Sequence, residues 1–284
     1  MTPARSTLVV MIALMFLYQT IDTIHLIRRQ NPSYWPNSAL SIISDTVLGT
    51  TDVRGPLTMS FMHNEILSQR QPHRFLTSGF LHGDILHLLL NIDALRRLPS
   101  WLETGLGKPL FVTTFLVSIV TGNMGHSFNA VNSSYAGSTF CLGASGGICG
   151  LYGLMYVALT KMGQTSSAQR VLKGMALLLA SGFLWDNVSN AAHLGGFFGG
   201  MVMGILCSPS YRKNYLARRK WSLEVDLWPR DYRQMMGFGI SPNKSLVPVQ
   251  ALWAVAACAM VLEPTFRSIP SSILASLLRP GSLS

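Results

Sequence analysis

Charge is scarce in this sequence: Asp, Glu, Lys and Arg make up only 12% of it, about half the share found in a soluble globular domain. That shortage excludes an ordinary water-soluble enzyme, and a mean hydropathy of +0.33 excludes a disordered chain. Cysteine is also thin. The four present (Cys141, Cys149, Cys207 and Cys258) lie in or beside apolar runs, with neither CxxC nor Cys/His spacing. They read as small buried hydrophobes, so no disulfide framework, metal site or cofactor is expected. Acidic residues number 12 against 22 Lys and Arg. No internal repeat or low-complexity tract is present. What abounds is apolar: 49% hydrophobic residues, including 14 Met, 13 Phe and 6 Trp. The chain reads as an all-α polytopic membrane protein.

Seven apolar stretches can be picked out, at 6–27, 77–98, 110–123, 141–160, 171–185, 191–207 and 247–262. Several fall short of the ~20 residues of a perpendicular span, which implies loop residues at membrane depth or a thinned bilayer. The first follows Arg5, as a signal peptide would. It leads to Gln19, Asp22 and His25 rather than a small-x-small cleavage site, so it reads as an uncleaved helix. Fifteen of the 22 basic residues fall on one side: Arg5, then Arg96, Arg97 and Lys108, then Lys161, Arg170 and Lys173, then eight from Arg212 to Lys244. The short opposite loops, 124–140 and 186–190, carry none. The positive-inside rule then makes the N-terminus cytoplasmic, with odd-numbered helices running outward and even-numbered ones inward. The basic stretch 209–245, interleaved with Tyr and Trp, suits anionic headgroups beside a helix end better than nucleic acid.

Polar side chains inside apolar spans are costly and point to function. Three clusters stand near the outer ends of the inward-running helices. His87 and Asn91 are four residues apart and share a face of the second stretch. Ser145 opens the fourth, within Gly143-Ala144-Ser145-Gly146, and His193 opens the sixth. Charge placement alone puts all three at one depth. Serine hydrolysis needs that proximity of nucleophile, base and oxyanion donors. Gly146, Gly150 and Gly153 form a smooth stripe after the serine, and Gly196 and Gly200 share a face with His193. Small-xxx-small stripes allow two helices to approach closely in lipid. Such an approach would bring Ser145 and His193 within reach of one another. The bland readings are helix packing by the glycines and interhelical hydrogen bonding by the polar groups. The string Gly143-Ala144-Ser145-Gly146-Gly147 also fits a GxSxG elbow. That motif requires a preceding strand, for which 138–142 is poor, and a triad acid, for which Asp186 is the one candidate before His193.

These residues resemble the rhomboid family of intramembrane serine proteases, over about Arg74 to Gly200. The matching motifs are His87-x-x-x-Asn91, Gly143-x-Ser145-Gly146 and Ala192-His193-x-x-Gly196-x-x-x-Gly200, supported by Arg74, His82, Glu103 and Gly107. The resemblance implies a six-helix rhomboid core plus one C-terminal transmembrane helix. It makes Ser145 the nucleophile and His193 the general base of a dyad without an acid. His87, Asn91 and the Ser145 backbone N–H would form the oxyanion hole, and Asn190 is a candidate for orienting His193. Gly143, Gly146, Gly150, Gly196 and Gly200 would pack the helices at the site. Two positions depart from the pattern. His73 precedes Arg74 where many relatives have Trp, and Cys149 stands where an aromatic ring stacks on the histidine.

The expected organisation is a catalytic core at 1–208, a basic cytoplasmic linker at 209–246, and a seventh helix with a short tail at 247–284. Substrates would be transmembrane segments of other membrane proteins. Six core helices plus one at the C-terminus resembles the layout of secretory-type rhomboids, which implies a secretory-pathway or plasma membrane rather than an organellar inner membrane. Asn132-Ser133-Ser134 and Asn187-Val188-Ser189 are sequons in expected outer loops. Two rival readings are a catalytically inactive rhomboid-like client-binding protein and a transporter. The first would lack Ser or His, and both are present. The second would show an inverted repeat, and none is visible.

Overall fold

The structure, a computed structural model, describes residues 1–30, 39–48, 61–62, 73–132, 140–183 and 188–208. The linker expected at 209–246 and the helix expected at 247–262 lie outside the described residues. So do Asn187 of one sequon and Ser133 and Ser134 of the other.

The chain opens with α1, Pro3–Gln30, which turns Leu8, Ile12, Phe16, Gln19, Thr23 and Ile27 inward. These recur every three or four residues, one face of a 3.6-residue helix. The opposite face carries exposed Val10, Met11, Leu14, Leu17 and Ile21. A helix apolar on both its packed and its outer face is suited to lipid, not water. Its N-terminus is held by buried Glu103, whose carboxylate accepts from the Ala4 N–H (2.8 Å), the Arg5 N–H (3.0 Å) and the Thr2 hydroxyl. That carboxylate satisfies amide groups the first helical turn leaves unpaired.

A short helix α2, Ala39–Leu48, follows, and Phe61–Met62 (β1) later pairs antiparallel with Phe140–Cys141 (β2). The stretch expected as one span at 77–98 is instead broken. Arg74–Thr77 (α3) runs into a 3-10 turn at Ser78–Phe80, and a new helix α4, Ile85–Arg97, departs at 93°. Asp84 causes the restart. Its backbone is extended (φ −157°, ψ 173°), and its carboxylate accepts from the His87 N–H at 2.7 Å as an N-cap. Apolar continuity across 77–98 concealed that cap.

After a single turn, α5 at Trp101–Thr104, comes α6, Lys108–Asn132, nine residues longer at its end than the stretch expected at 110–123. Asn123, the last residue of that expected stretch, is buried against protein. Asn123 Nδ2 donates to the Phe75 carbonyl and to Ser78 Oγ, both at 2.8 Å. Helix α7, Ser145–Lys161, is almost wholly buried, and α8, Thr165–Gly182, lies against it. Helix α9, Asn190–Cys207, packs chiefly on α7 and α6. Among the described residues only α1 and α9 are long and apolar enough to span alone, with the bent α3–α4 pair a third candidate. The other helices need not be apolar all round, because α6 and α7 expose little surface to lipid and bury Thr113, Thr114 and Ser118 inside the bundle.

Candidate active site

Ser145 is the first residue of α7. Before it the chain must turn sharply, and Gly143 makes the turn at φ +111°, a conformation that side chains disfavour. The Gly143 N–H donates to the Ser78 carbonyl at 3.0 Å, tying this turn to the bend ahead of α4. Gly143 has a second reason to lack a side chain. A methyl there would lie 2.6 Å from His87 Cε1 and 2.7 Å from Nε2, so the imidazole rests directly on the backbone leading to Ser145. The Gly83 N–H points at His87 Nδ1 from 3.5 Å, a long contact that favours the ring proton on Nε2, the nitrogen nearest Gly143.

Asn91 sits one turn further along α4, buried, with Nδ2 donating to the His87 carbonyl at 2.8 Å. One amide hydrogen is left over. The first N–H groups of α7 are likewise unpaired within their helix, and the positive end of its dipole lies at Ser145. A narrow cleft, with room for about one water, opens here, lined by Asn123, Leu142, Gly143, Ser145, Gly146 and Ala192 among others.

His193 lies in the first turn of α9 and is buried. The Ser189 hydroxyl caps this helix by accepting from the Ala192 N–H at 3.2 Å, and His126 Nδ1 bonds the same hydroxyl at 2.9 Å. Backbone contact brings α9 to the serine. A methyl at Gly196 would fall on the Gly146 carbonyl, and one at Gly200 on the Gly150 carbonyl. Gly122 of α6 completes the crossing, since a methyl there would meet the Ala192 carbonyl at 2.8 Å and Gly146 Cα at 3.5 Å. Of the five glycines singled out, Gly143, Gly150, Gly196 and Gly200 have no room for a methyl, whereas one on Gly146 would meet nothing nearer than 3.6 Å. Gly122 and Gly125 of α6 also lie at close approaches, and their i, i+3 spacing at the edge of an apolar stretch was the available signal.

Two placements differ from expectation. Asn190 does not reach His193; its Nδ2 donates to the Leu179 carbonyl at 3.1 Å, so it binds α9 to α8. Its partner is on the preceding helix, where sequence spacing from His193 cannot point. His193 Nδ1 has no hydrogen-bond partner among the described residues, and Cys149 is buried one turn below Ser145. No hydrogen bond joins Ser145 Oγ to His193 among the described residues. Catalytic hydrogen bonds are often loose without substrate and tighten when it binds.

The Rhomboid domain family model matches residues 69–210. The chain is 32% identical over 155 residues to the rhomboid protease GluP of Bacillus subtilis, covering 54% of this chain and 29% of that protein. It is 31% identical over 146 residues to RHOMBOID-like protein 7 of Arabidopsis thaliana, covering 50% and 45%. It is 29% identical over 174 residues to Rhomboid-like protease 5 of Toxoplasma gondii, covering 58% and 20%. The aligned part is thus less than half the length of each of these relatives. Residues 69–210, which that domain matches, contain the bend at Asp84, the Gly143 turn into Ser145 and the glycine crossing of α6, α7 and α9, and with half its length so matched the chain belongs to the rhomboid family, a polytopic membrane fold.

Proposed function

We propose that this rhomboid-family protein is an intramembrane serine endopeptidase that cleaves transmembrane segments of other membrane proteins. The observation that carries the reading is the backbone contact of Gly196 with Gly146, which sets the helix bearing His193 against the helix opened by Ser145. Ser145 Oγ attacks a substrate carbonyl while His193 takes its proton. The developing oxyanion is met by the Ser145 N–H, the His87 Nε2–H and the remaining Asn91 amide hydrogen, donors fixed before the reaction begins. His193 returns the proton to the leaving amine. A water then repeats the attack on the acyl-enzyme and frees Ser145. The narrow cleft beside Ser145 has room for a water, and it must widen to take in a carbonyl exposed where a substrate helix is locally unwound.

In this reading residues 1–208 are the catalytic core, and 209–246 and 247–284 are the basic linker and a seventh helix. The N-terminus is cytoplasmic, the cleft faces the other side, and the linker lies near anionic headgroups. The membrane is that of the secretory pathway or cell surface. A fluorophosphonate probe and a transmembrane reporter test the chemistry together. Wild type should label and cleave, while Ser145→Ala does neither and His193→Ala loses cleavage. Adding the second substitution should cost almost nothing more, because the pair acts as one unit. Substantial turnover by Ser145→Ala removes the serine mechanism, and a wild type that neither labels nor cleaves leaves the inactive client-binding reading.

A further inference from the structure

Two buried polar residues, Gln19 and His82, have no part in the chemistry above. Gln19 projects from α1 into the bend between α3 and α4. Its Nε2 donates to the His82 carbonyl at 2.5 Å, and its Oε1 accepts from the His82 N–H at 3.2 Å. Both halves of one side-chain amide are therefore taken up by the backbone of a single residue 63 positions away. Such a pairing fixes the position of that residue and the direction its side chain leaves the chain.

His82 is fully buried. Its ring meets that of His87 edge-on, with centroids 5.0 Å apart and planes at 61°. The Phe80 backbone lies beside the ring, but neither ring nitrogen makes a hydrogen bond among the described residues. The ring therefore acts on its neighbour by shape and edge-to-face contact. His87 is consequently bounded by the His82 ring, by the Gly83 N–H on Nδ1 and by the Gly143 backbone beside Nε2. Without the His82 ring, the imidazole of His87 would border a void and could swing away from Gly143 into another rotamer.

We infer that Gln19 and His82 are positioning residues: α1 fixes His82, and the His82 ring holds His87 Nε2 toward the carbonyl attacked by Ser145. The inference rests on the reading of His87 as an oxyanion donor. Displacing a catalytic group by about 1 Å costs up to ~10²-fold in rate, so the contact is worth measuring by turnover.

The test is a double-mutant cycle in the full chain, read as kcat and KM on a transmembrane reporter. His82→Ala should lower kcat by on the order of tenfold or more, with KM little changed. His82→Phe, which keeps a ring edge but no nitrogen, should recover most of the loss, and Gln19→Leu should resemble a weaker His82→Ala. In a His87→Ala background, His82→Ala should cost less than about twofold, since the residue it acts through is gone. Equal losses in both backgrounds, or a His82→Phe no better than His82→Ala, overturn the inference while leaving the serine mechanism intact. Failure of wild type to cleave is a failure of the protease reading instead. The ring nitrogen resonances of His87 then serve as the readout without turnover. They should move in His82→Ala and stay put in Gly174→Ala, where an added methyl meets nothing within 4 Å; resonances unmoved by His82→Ala overturn the positioning role.

Discussion

A methyl group placed on Gly196 would land on the carbonyl oxygen of Gly146 and come 3.0 Å from its Cα. Helices α7 and α9 thus touch backbone to backbone within a turn of Ser145 and His193. The contact repeats one turn on, where Gly200 meets the backbone of Gly150. Neither Gly196 nor Gly200 can accept a side chain unless the helices separate. Gly196→Val and Gly200→Val should each lower reporter cleavage by on the order of 10²-fold, the sensitivity expected of a misplaced base. Gly174→Val, on the open face of α8, should not. Cysteine pairs placed at the facing ends of α7 and α9 would report the separation directly. Full activity and unchanged crosslinking in the valine variants would remove the dyad geometry.

The oxyanion assignment makes a graded prediction. His87→Ala and Asn91→Ala should each cost on the order of 10²-fold in turnover, while fluorophosphonate labelling of Ser145 stays detectable. Asn91→Asp should be worse than Asn91→Ala. Its carboxylate would put acceptors against the His87 carbonyl, which now takes the Asn91 amide hydrogen at 2.8 Å, and against the developing oxyanion. Wild-type rates in all three would reduce these residues to links between helix turns.

The parts of this site legible in the sequence are those set by helical arithmetic. Gly146 and Gly150, or Gly196 and Gly200, announce a shared face by their spacing, and so do His87 and Asn91. Breaks in helices were harder to see. Asp84 caps α4 with a side chain, inside a run whose hydrophobicity continues on both sides. The third apolar stretch was expected to end at Asn123, yet the Asn123 amide is satisfied by Phe75 and Ser78, and α6 continues past it. Pairings distant along the chain left no periodic trace at all. Gln19 read only as an argument against a cleavage site, and its grip on His82 depends on a bend that the sequence did not disclose.

Lys161 offers a test that separates stability from chemistry. It ends α7, and its Nζ lies 2.9 to 3.1 Å from the carbonyl oxygens of Gly204, Ile205 and Ser208 and from Ser208 Oγ, four acceptors sharing three ammonium hydrogens. Among them, the Gly204 carbonyl also accepts from the Ser208 N–H at 3.2 Å, while the Ile205 and Ser208 carbonyls lie past the last turn that the α9 backbone can pair. A cation at a helix C-terminus is favoured by the dipole as well. Lys161→Met keeps the apolar stem and removes every one of these donors. The half-exposed site tempers the loss, so the expected destabilisation is about 1–2 kcal/mol, seen as a lower apparent midpoint of thermal inactivation in detergent. Lys161→Arg should restore part of it. Ser145 stands at the other end of the same helix, about 24 Å away at 1.5 Å per residue. Turnover well below the midpoint should therefore be near wild type. An unchanged midpoint would mean that water serves the α9 carbonyls as well as the ammonium does. Lost turnover without lost stability would instead show that the far ends of α7 and α9 set the register of the glycine contacts.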